Sequence, residues 1–275
     1  MAEAAVRELS GAWNFRDVAD GVSALRPGRM FRSGELSRLD DDGRATVRRL
    51  GITDVADLRA AREVARRGPG LVPEGVEIHL LPVPDLADDE QTDGAAPHEE
   101  AFQRLLRGES DGSDQSVNDA AIRFMTDEYR RFPTRNGAQR ALHRVVTLLA
   151  EGRQVLTHCF AGKDRTGFVI ATVLEAVGVD RDTIVADFLR SNDAVPELRT
   201  RIYEMIQQRG DTELTPEVVT FTEARLSDGV LGVRPEYLAA TRQTIDEEFG
   251  SLQGYLGDAG ITEADLDRLR NELLG

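Results

Sequence analysis

The sequence predicts an α/β fold with a mostly parallel sheet and a second half that turns helical. Three observations carry this. Strand-like and helix-like patterns alternate as far as about residue 180. The apolar run Val155-Leu156-Thr157-His158, too short for a helix, sits between two helix signals. Beyond residue 180 the strand signals fade. In chain order, short strands and turns are expected over residues 11–58, around Trp13-Asn14-Phe15-Arg16-Asp17 and Gly28-Arg29-Met30-Phe31-Arg32-Ser33. They lead into a strand over residues 53–58. A second strand candidate covers residues 76–81, with Pro69, Pro73, Pro82 and Pro84 marking turns around it. Leu142, Val145, Val146 and Leu149 recur at i, i+3, i+4, i+7 and predict an amphipathic helix over residues 137–151, ended by Gly152. An apolar helix follows the buried strand over residues 166–177 and stops at Gly178. Thr215-Pro216-Glu217 has the order of a helix start. Thr262 with Asp265 resembles a capping box in which Asp stands where Glu or Gln is usual. The helical second half is expected to be either an integral layer or a cover over a site.

Composition narrows the function classes. The 275 residues carry 34 Lys and Arg against 49 Asp and Glu, a formal net charge of −15, so a partner held by a basic face, such as nucleic acid, is not expected. No apolar run approaches the roughly 18 residues of a spanning helix. The N-terminal residues have neither a basic start nor an apolar stretch, so the sequence reads as cytoplasmic. Cys159 is the sole cysteine, which excludes an internal disulfide and a cysteine-rich zinc site. His79, His98, His143 and His158 fall at no paired ligand spacing such as i, i+4; no cofactor is expected. Residues 85–119 hold eleven Asp or Glu against two Arg, and read as an acidic, mobile loop insertion or as a docking loop near a site.

Chemistry concentrates in His158-Cys159-Phe160-Ala161-Gly162-Lys163-Asp164-Arg165-Thr166-Gly167. The cysteine ends a strand, a glycine-bearing turn follows, and Arg165 opens a helix. A turn of this length can converge its amides on one point, with the helix N-terminus behind it, and so form an anion nest. The planar fork of Arg165 suits two phosphate oxygens. Nest, helix end, Lys163 and Arg165 all favour an anionic sulfur, which could attack phosphorus in line while Arg165 holds the equatorial oxygens. Thr166 is placed to donate its hydroxyl to that sulfur, and His158 to orient the loop through hydrogen bonds rather than act as a base. A lone cysteine after a buried strand is commonly an inert core residue; strand, glycine turn, Arg165, Thr166-Gly167 and apolar helix together outweigh that reading.

The loop resembles the signature of cysteine-dependent protein tyrosine phosphatases, and Ala161-Gly162-Lys163-Asp164-Arg165-Thr166-Gly167 resembles the form found in the bacterial tyrosine/serine phosphatase family. Asn14-Phe15-Arg16-Asp17, Arg32-Ser33, Asp57-Leu58-Arg59 with Glu63, and Phe188-Leu189-Arg190-Ser191-Asn192 match further motifs of that family, over nearly the whole chain. The resemblance implies a single phosphatase domain over residues 1–275, a tyrosine-phosphatase-like parallel sheet flanked by helices, a phosphocysteine intermediate and no metal. It also implies a helical lid from the C-terminal half, about residues 196–249, which would shield the lone thiol from oxidation. Phosphotyrosine is the implied substrate, with phosphoserine, phosphothreonine and phosphoinositides as further ones. Phosphorylated proteins become the expected partners, and export by a non-classical route is implied.

Asp164, inside the loop, is the preferred proton donor to the leaving group, and Asp85 in Pro82-Val83-Pro84-Asp85-Leu86 is the alternative. The phosphate-binding residues are expected to be Phe160 through Arg165, with Phe160 lining the pocket wall and Lys163 reaching phosphate or a second anionic group, as on an inositol ring. Asn14, Arg16, Asp17, Arg59 and Glu63 are read as bracing the loop, the charged ones alternatively as plain structural ion pairs. Phe124, Met125, Tyr129, Met205, Phe221 and Leu226 are expected in core packing, or in an apolar lid gripping an aromatic ring. The competing functions are a mainly phosphoinositide-directed phosphatase, sulfur or arsenate chemistry, and a non-catalytic phosphate-reading module. Arsenate reduction usually needs further cysteines, and the intact Cys159 and Arg165 speak against a non-catalytic module.

Overall fold

The computed structural model describes residues 8–83, 114–208 and 231–275. Within them the strands β1 (Arg16–Asp17), β2 (Met30–Ser33), β3 (Asp54–Asp57), β4 (Glu77–Leu80) and β5 (Val155–His158) form one sheet in the order β1-β2-β5-β3-β4. β1 pairs antiparallel with β2 at the edge, and the other pairings are parallel. β5 lies in the centre, with Leu156 level with Phe31 of β2 and Val55 of β3. Every residue of β2, β3 and β5 is buried, as a parallel strand covered on both faces requires. Successive residues of β5 serve opposite faces. Val155 joins the larger core with Val145, Val146, Phe168 and Val173, and Leu156 joins Phe31, Leu36, Val47 and Ile52 on the other side.

The helices are α1 (Asp41–Arg49), α2 (Ala61–Arg67), α3 (Asp114–Arg131), α4 (Asn136–Ala150), α5 (Asp164–Ala176), α6 (Arg181–Leu189), α7 (Val195–Gln208), α8 (Pro235–Phe249), α9 (Leu252–Asp258) and α10 (Glu263–Leu273), with 3-10 turns at Val18–Asp20 and Arg190–Ala194. α4 and α5 end where Gly152 and Gly178 enter the left-handed region, at φ +77° and +91°. The Thr262 box forms: its hydroxyl accepts from the Asp265 amide at 3.2 Å, and its own amide donates to Asp265 Oδ2 at 2.9 Å.

Four elements depart from the sequence reading. α1 occupies part of the stretch read as strands and turns. It buries only Gly43 and Val47, so a single large apolar side chain marks its inner face, and Asp40 caps the Gly43 amide with arginines in the last turn. α2 is similarly short. α5 begins at Asp164, two residues ahead of the expected start, so the last residues of the loop are already helical. Residues 114–119, the end of the acidic stretch, belong to α3. The rest of that stretch described as a loop, Thr215-Pro216-Glu217, Phe221 and Leu226 lie outside the described residues.

The helical second half divides between two apolar clusters. Tyr237 and Ile245 of α8 and Leu266, Leu269 and Leu273 of α10 belong to the main core. Val195, Leu198 and Ile202 of α7 pack instead with Trp13, Phe160, Ala161 and Leu231, on the loop that follows β5. Among the described residues no helix is long and apolar enough to cross a membrane.

Candidate active site

The carboxyl end of the central strand is where an open α/β sheet offers a crevice, and residues 159–163 turn there between β5 and α5. Their carbonyls are tied outward one after another. Phe160 O accepts from the Glu35 amide at 2.9 Å, Ala161 O and Gly162 O from Asn14 Nδ2 at 3.0 and 3.1 Å, and Gly162 O also from Arg32 Nη2 at 2.9 Å. Lys163 O accepts from the Gly167 amide at 2.8 Å. In a trans peptide each carbonyl opposes the next N–H, so pulling the carbonyls one way turns the amides the other. Among the described residues the amides of Ala161, Gly162 and Lys163 enter no hydrogen bond, and no side chain caps α5. That is the construction of an anion nest. Gly162 is obligatory: its φ is +66°, and a Cβ would stand 2.2 Å from Ser33 O.

Cys159 and Arg165 are 2% and 1% exposed. The guanidinium expected to fork onto phosphate forks instead onto Glu63 of α2, with Nη1 at 2.5 Å from Oε2 and Nη2 at 2.9 Å from Oε1. Its Nε has no hydrogen-bond partner among the described residues. Burial works against this charge, but Glu63, with Cys159 and Asp164 nearby, holds Arg165 protonated above the ordinary arginine range. Glu63 is itself fixed, since Oε2 accepts the Ala60 amide at 2.8 Å. Among the described residues, Cys159 included, Thr166 Oγ1 makes no hydrogen bond, so the expected contact with the sulfur is not formed.

Asp164 is 2% exposed, and its Oδ1 accepts the Tyr129 hydroxyl at 3.1 Å. Lys163 Nζ lies 3.5 Å from the same oxygen and donates to Gly232 O at 3.4 Å. Asp85, the alternative acid, lies outside the described residues. Phe160 forms a wall, with the Arg67 guanidinium 3.8 Å above its ring and Trp13 edge-on at 5.9 Å. A tyrosine phosphatase family model matches residues 7–275.

The chain belongs to this tyrosine phosphatase family.

The triple specificity protein phosphatase PtpB of Mycobacterium tuberculosis (strain ATCC 25618 / H37Rv) is 77% identical over 276 residues, covering 98% of this chain and 100% of that protein. A Cupriavidus necator protein provisionally named a tyrosine-protein phosphatase is 30% identical over 265 residues, 95% of this chain and 85% of its own length. A tyrosine-protein phosphatase of Nostoc commune is 24% identical over 259 residues, 94% and 78% respectively.

The phosphatase loop is braced by charges brought from distant segments. Asn14, at φ +50°, uses its amide on two loop carbonyls and accepts Arg16 Nη1 at 2.9 Å. Arg16 and Arg32, opposite each other in the β1–β2 pair, converge on Asp187 of α6. Arg59 is held by Asp57 and, at 3.3 Å, by Glu35, whose amide ties Phe160. Asp17 does not brace the loop. It caps the Val18–Asp20 turn and accepts the Gly28 amide, because strand alternation sends it away from Arg16. Arg32, Glu35, Asp187 and Tyr129 are site-supporting residues to which the sequence reading gave no such part. The available signal was a charge set inside an otherwise apolar stretch, as in Met30-Phe31-Arg32 and Ala186-Asp187-Phe188. The only described trio with metal-ligand spacing, Asp54, Glu77 and His79, lies at the opposite strand ends, where Asp54 is engaged by His79, Thr53 and Arg153.

His158 is fully buried, with Nδ1 3.2 Å from Cys159 O and Nε2 3.6 Å from Asp57 Oδ2, too far for a hydrogen bond. Burial is the main cause that pushes its pKa down; Asp57 opposes this, and Arg59 and Arg165 add to it. The unfolded chain takes up this proton near the ordinary value of about 6.5, and the folded chain only at lower pH. The neutral ring therefore contributes stability above about pH 6.5 that is lost as pH falls below it. In urea unfolding from about pH 7.5 to about pH 5, wild type is expected to lose more stability than His158→Gln. Equal losses would contradict a buried neutral ring.

Proposed function

We propose that this phosphatase hydrolyses phosphomonoesters through a phosphocysteine at Cys159, acting on phosphotyrosine and also on phosphoserine, phosphothreonine and phosphoinositides. One observation carries the chemistry: outward-tied carbonyls with the amides of Ala161, Gly162 and Lys163 unengaged among the described residues, next to a buried thiol and an Arg165 Nε that has no partner among them. In the first step the Cys159 sulfur bonds to phosphorus, the bond from phosphorus to the leaving oxygen breaks, and Asp164 gives its proton to that oxygen. In the second, water attacks phosphorus, returns a proton to Asp164 and releases phosphate and the thiolate. The loop amides and Arg165 hold the non-bridging oxygens throughout, with Glu63 keeping the guanidinium in place.

Substrate breadth is supported by the 77% identical relative, whose name declares triple specificity, and by Lys163, a second cation beside the loop suited to a further phosphate. The enclosure of Cys159, Lys163, Asp164 and Arg165, each no more than 2% exposed, means that substrate reaches the sulfur only when a cover moves. α7 with Leu231 is that cover in this reading.

The test is hydrolysis of p-nitrophenyl phosphate, a phosphotyrosyl peptide and a phosphatidylinositol phosphate without added metal, with rapid quenching to find a phosphoryl group on the Cys159 peptide. No metal-free turnover, or no such adduct, overturns the proposal. Asp164→Asn is expected to slow substrates with poor leaving groups by about 10²- to 10⁴-fold and p-nitrophenyl phosphate much less. If Asp85→Asn alone does this, the acid is Asp85.

A further inference from the structure

We propose that Tyr129 is a positioning residue for leaving-group protonation, fixing Asp164 so that Oδ1 accepts and the delivered proton sits on Oδ2. The proposal rests on the reading of Asp164 as the acid.

Tyr129 sits on α3, fully buried, and its ring has no freedom to turn. It stacks on Tyr237 with centroids 5.0 Å apart, and meets Phe132 and Phe188 edge-on at 5.0 and 6.0 Å. Its carbonyl accepts the Thr241 hydroxyl at 3.0 Å, which ties α3 to α8. The hydroxyl leaving this clamp ends 3.1 Å from Asp164 Oδ1. Burial above all holds the phenol protonated far above the ordinary tyrosine range, so toward Asp164 it donates. Lys163 Nζ addresses the same oxygen from 3.5 Å.

The Tyr129 hydroxyl donates to Oδ1, which makes it the carbonyl-like oxygen whenever the carboxyl carries a proton, and the acidic hydrogen then belongs to the other one. The carboxyl is thereby held in one orientation before substrate arrives, which is the form of help that positioned acids need. Packing does not account for the hydroxyl. A phenylalanine would fill the same stack, whereas a buried O–H without an acceptor would destabilise the fold.

Tyr129→Phe keeps the ring and removes the donor. The readout is kcat/KM over a series of aryl phosphates from p-nitrophenyl to phenyl, with wild type, Tyr129→Phe, Asp164→Asn and the double variant. Tyr129→Phe is expected to lose about 10- to 100-fold on phenyl phosphate and a phosphotyrosyl peptide, less on p-nitrophenyl phosphate. The double variant is expected to be no slower than Asp164→Asn, since the phenol acts only through that carboxyl. A loss uniform across leaving groups, or one that adds to that of Asp164→Asn, overturns the proposal and makes Tyr129 a packing residue. Wild-type leaving-group dependence in Tyr129→Phe beside a steep dependence in Asp164→Asn overturns it while leaving the acid in place. A flat dependence in Asp164→Asn removes the acid assignment and this proposal with it.

Discussion

Cys159→Ser is expected to cut turnover of p-nitrophenyl phosphate by about 10⁵-fold or more, the scale on which removal of a nucleophile acts, while phosphate still binds. A serine hydroxyl stays protonated where a thiol can ionise, and the site offers no base to help it, since His158 is buried and turned onto the Cys159 carbonyl. The loop itself should not respond. Its shape is held through the carbonyls of Phe160, Ala161, Gly162 and Lys163 by Glu35, Asn14, Arg32 and Gly167, and the sulfur takes part in none of these bonds. Stopped-flow assays check turnover, and calorimetric titration of Cys159→Ser with inorganic phosphate checks binding. Turnover within tenfold of wild type would remove Cys159 as nucleophile, and lost phosphate binding would show that the thiol, not the amides, organises the loop.

How much of this was legible depended on distance along the chain. β5 was readable because Val155 and Leu156 form a short apolar run between two helix signals, and a strand buried on both faces needs nothing more. The turn after β5 was readable because its glycine, its arginine and its helix are contiguous. α1 was not, because a single large apolar side chain marks its inner face. Nor were the partners of the site. Asp187 lies 171 residues from Arg16 and 155 from Arg32, and Tyr129 lies 35 from Asp164, so no local pattern joins them. The misplacement of Asp17 has the same root: adjacency to Arg16 in sequence is opposition in a strand. The Arg165 fork was assigned to phosphate on its own chemistry, correctly for an isolated guanidinium. Only the fold brings Glu63 onto both of its terminal nitrogens.

Asp187→Ala is expected to destabilise the fold by about 3–5 kcal/mol, the cost of removing one partner from a buried ion pair. Arg16, Arg32 and Asp187 are 5%, 1% and 2% exposed, and the single carboxylate takes Arg16 Nε at 2.8 Å on Oδ1 and Arg32 Nη1 at 2.8 Å on Oδ2. The two arginines face each other across β1 and β2, so without the carboxylate two like charges remain side by side and dry. Burial, then the charge of Arg32, already presses Arg16 down to about 10, with Asp187 as its counterweight. For Asp187 burial pushes upward, but Arg32 and Arg16 prevail and hold it below the usual carboxylate range. Its contribution is therefore whole above about pH 4, the unfolded value, and lost as pH falls through its lower folded value. Urea midpoints of wild type and Asp187→Ala should differ widely at neutral pH and converge in acid. The same change should reach the active site, because Arg32 Nη2 holds the Gly162 carbonyl outward and its guanidinium is aligned by Asp187. Once that alignment is lost, Gly162 O keeps only the Asn14 contact, and the amide next to it is held less firmly toward the loop's centre. Turnover should then fall even at temperatures where Asp187→Ala remains folded. A destabilisation under about 1 kcal/mol at neutral pH, or a gap between the two proteins that does not close in acid, would mean that the arginines share their charge with other groups and that Asp187 is not the keystone between sheet and loop.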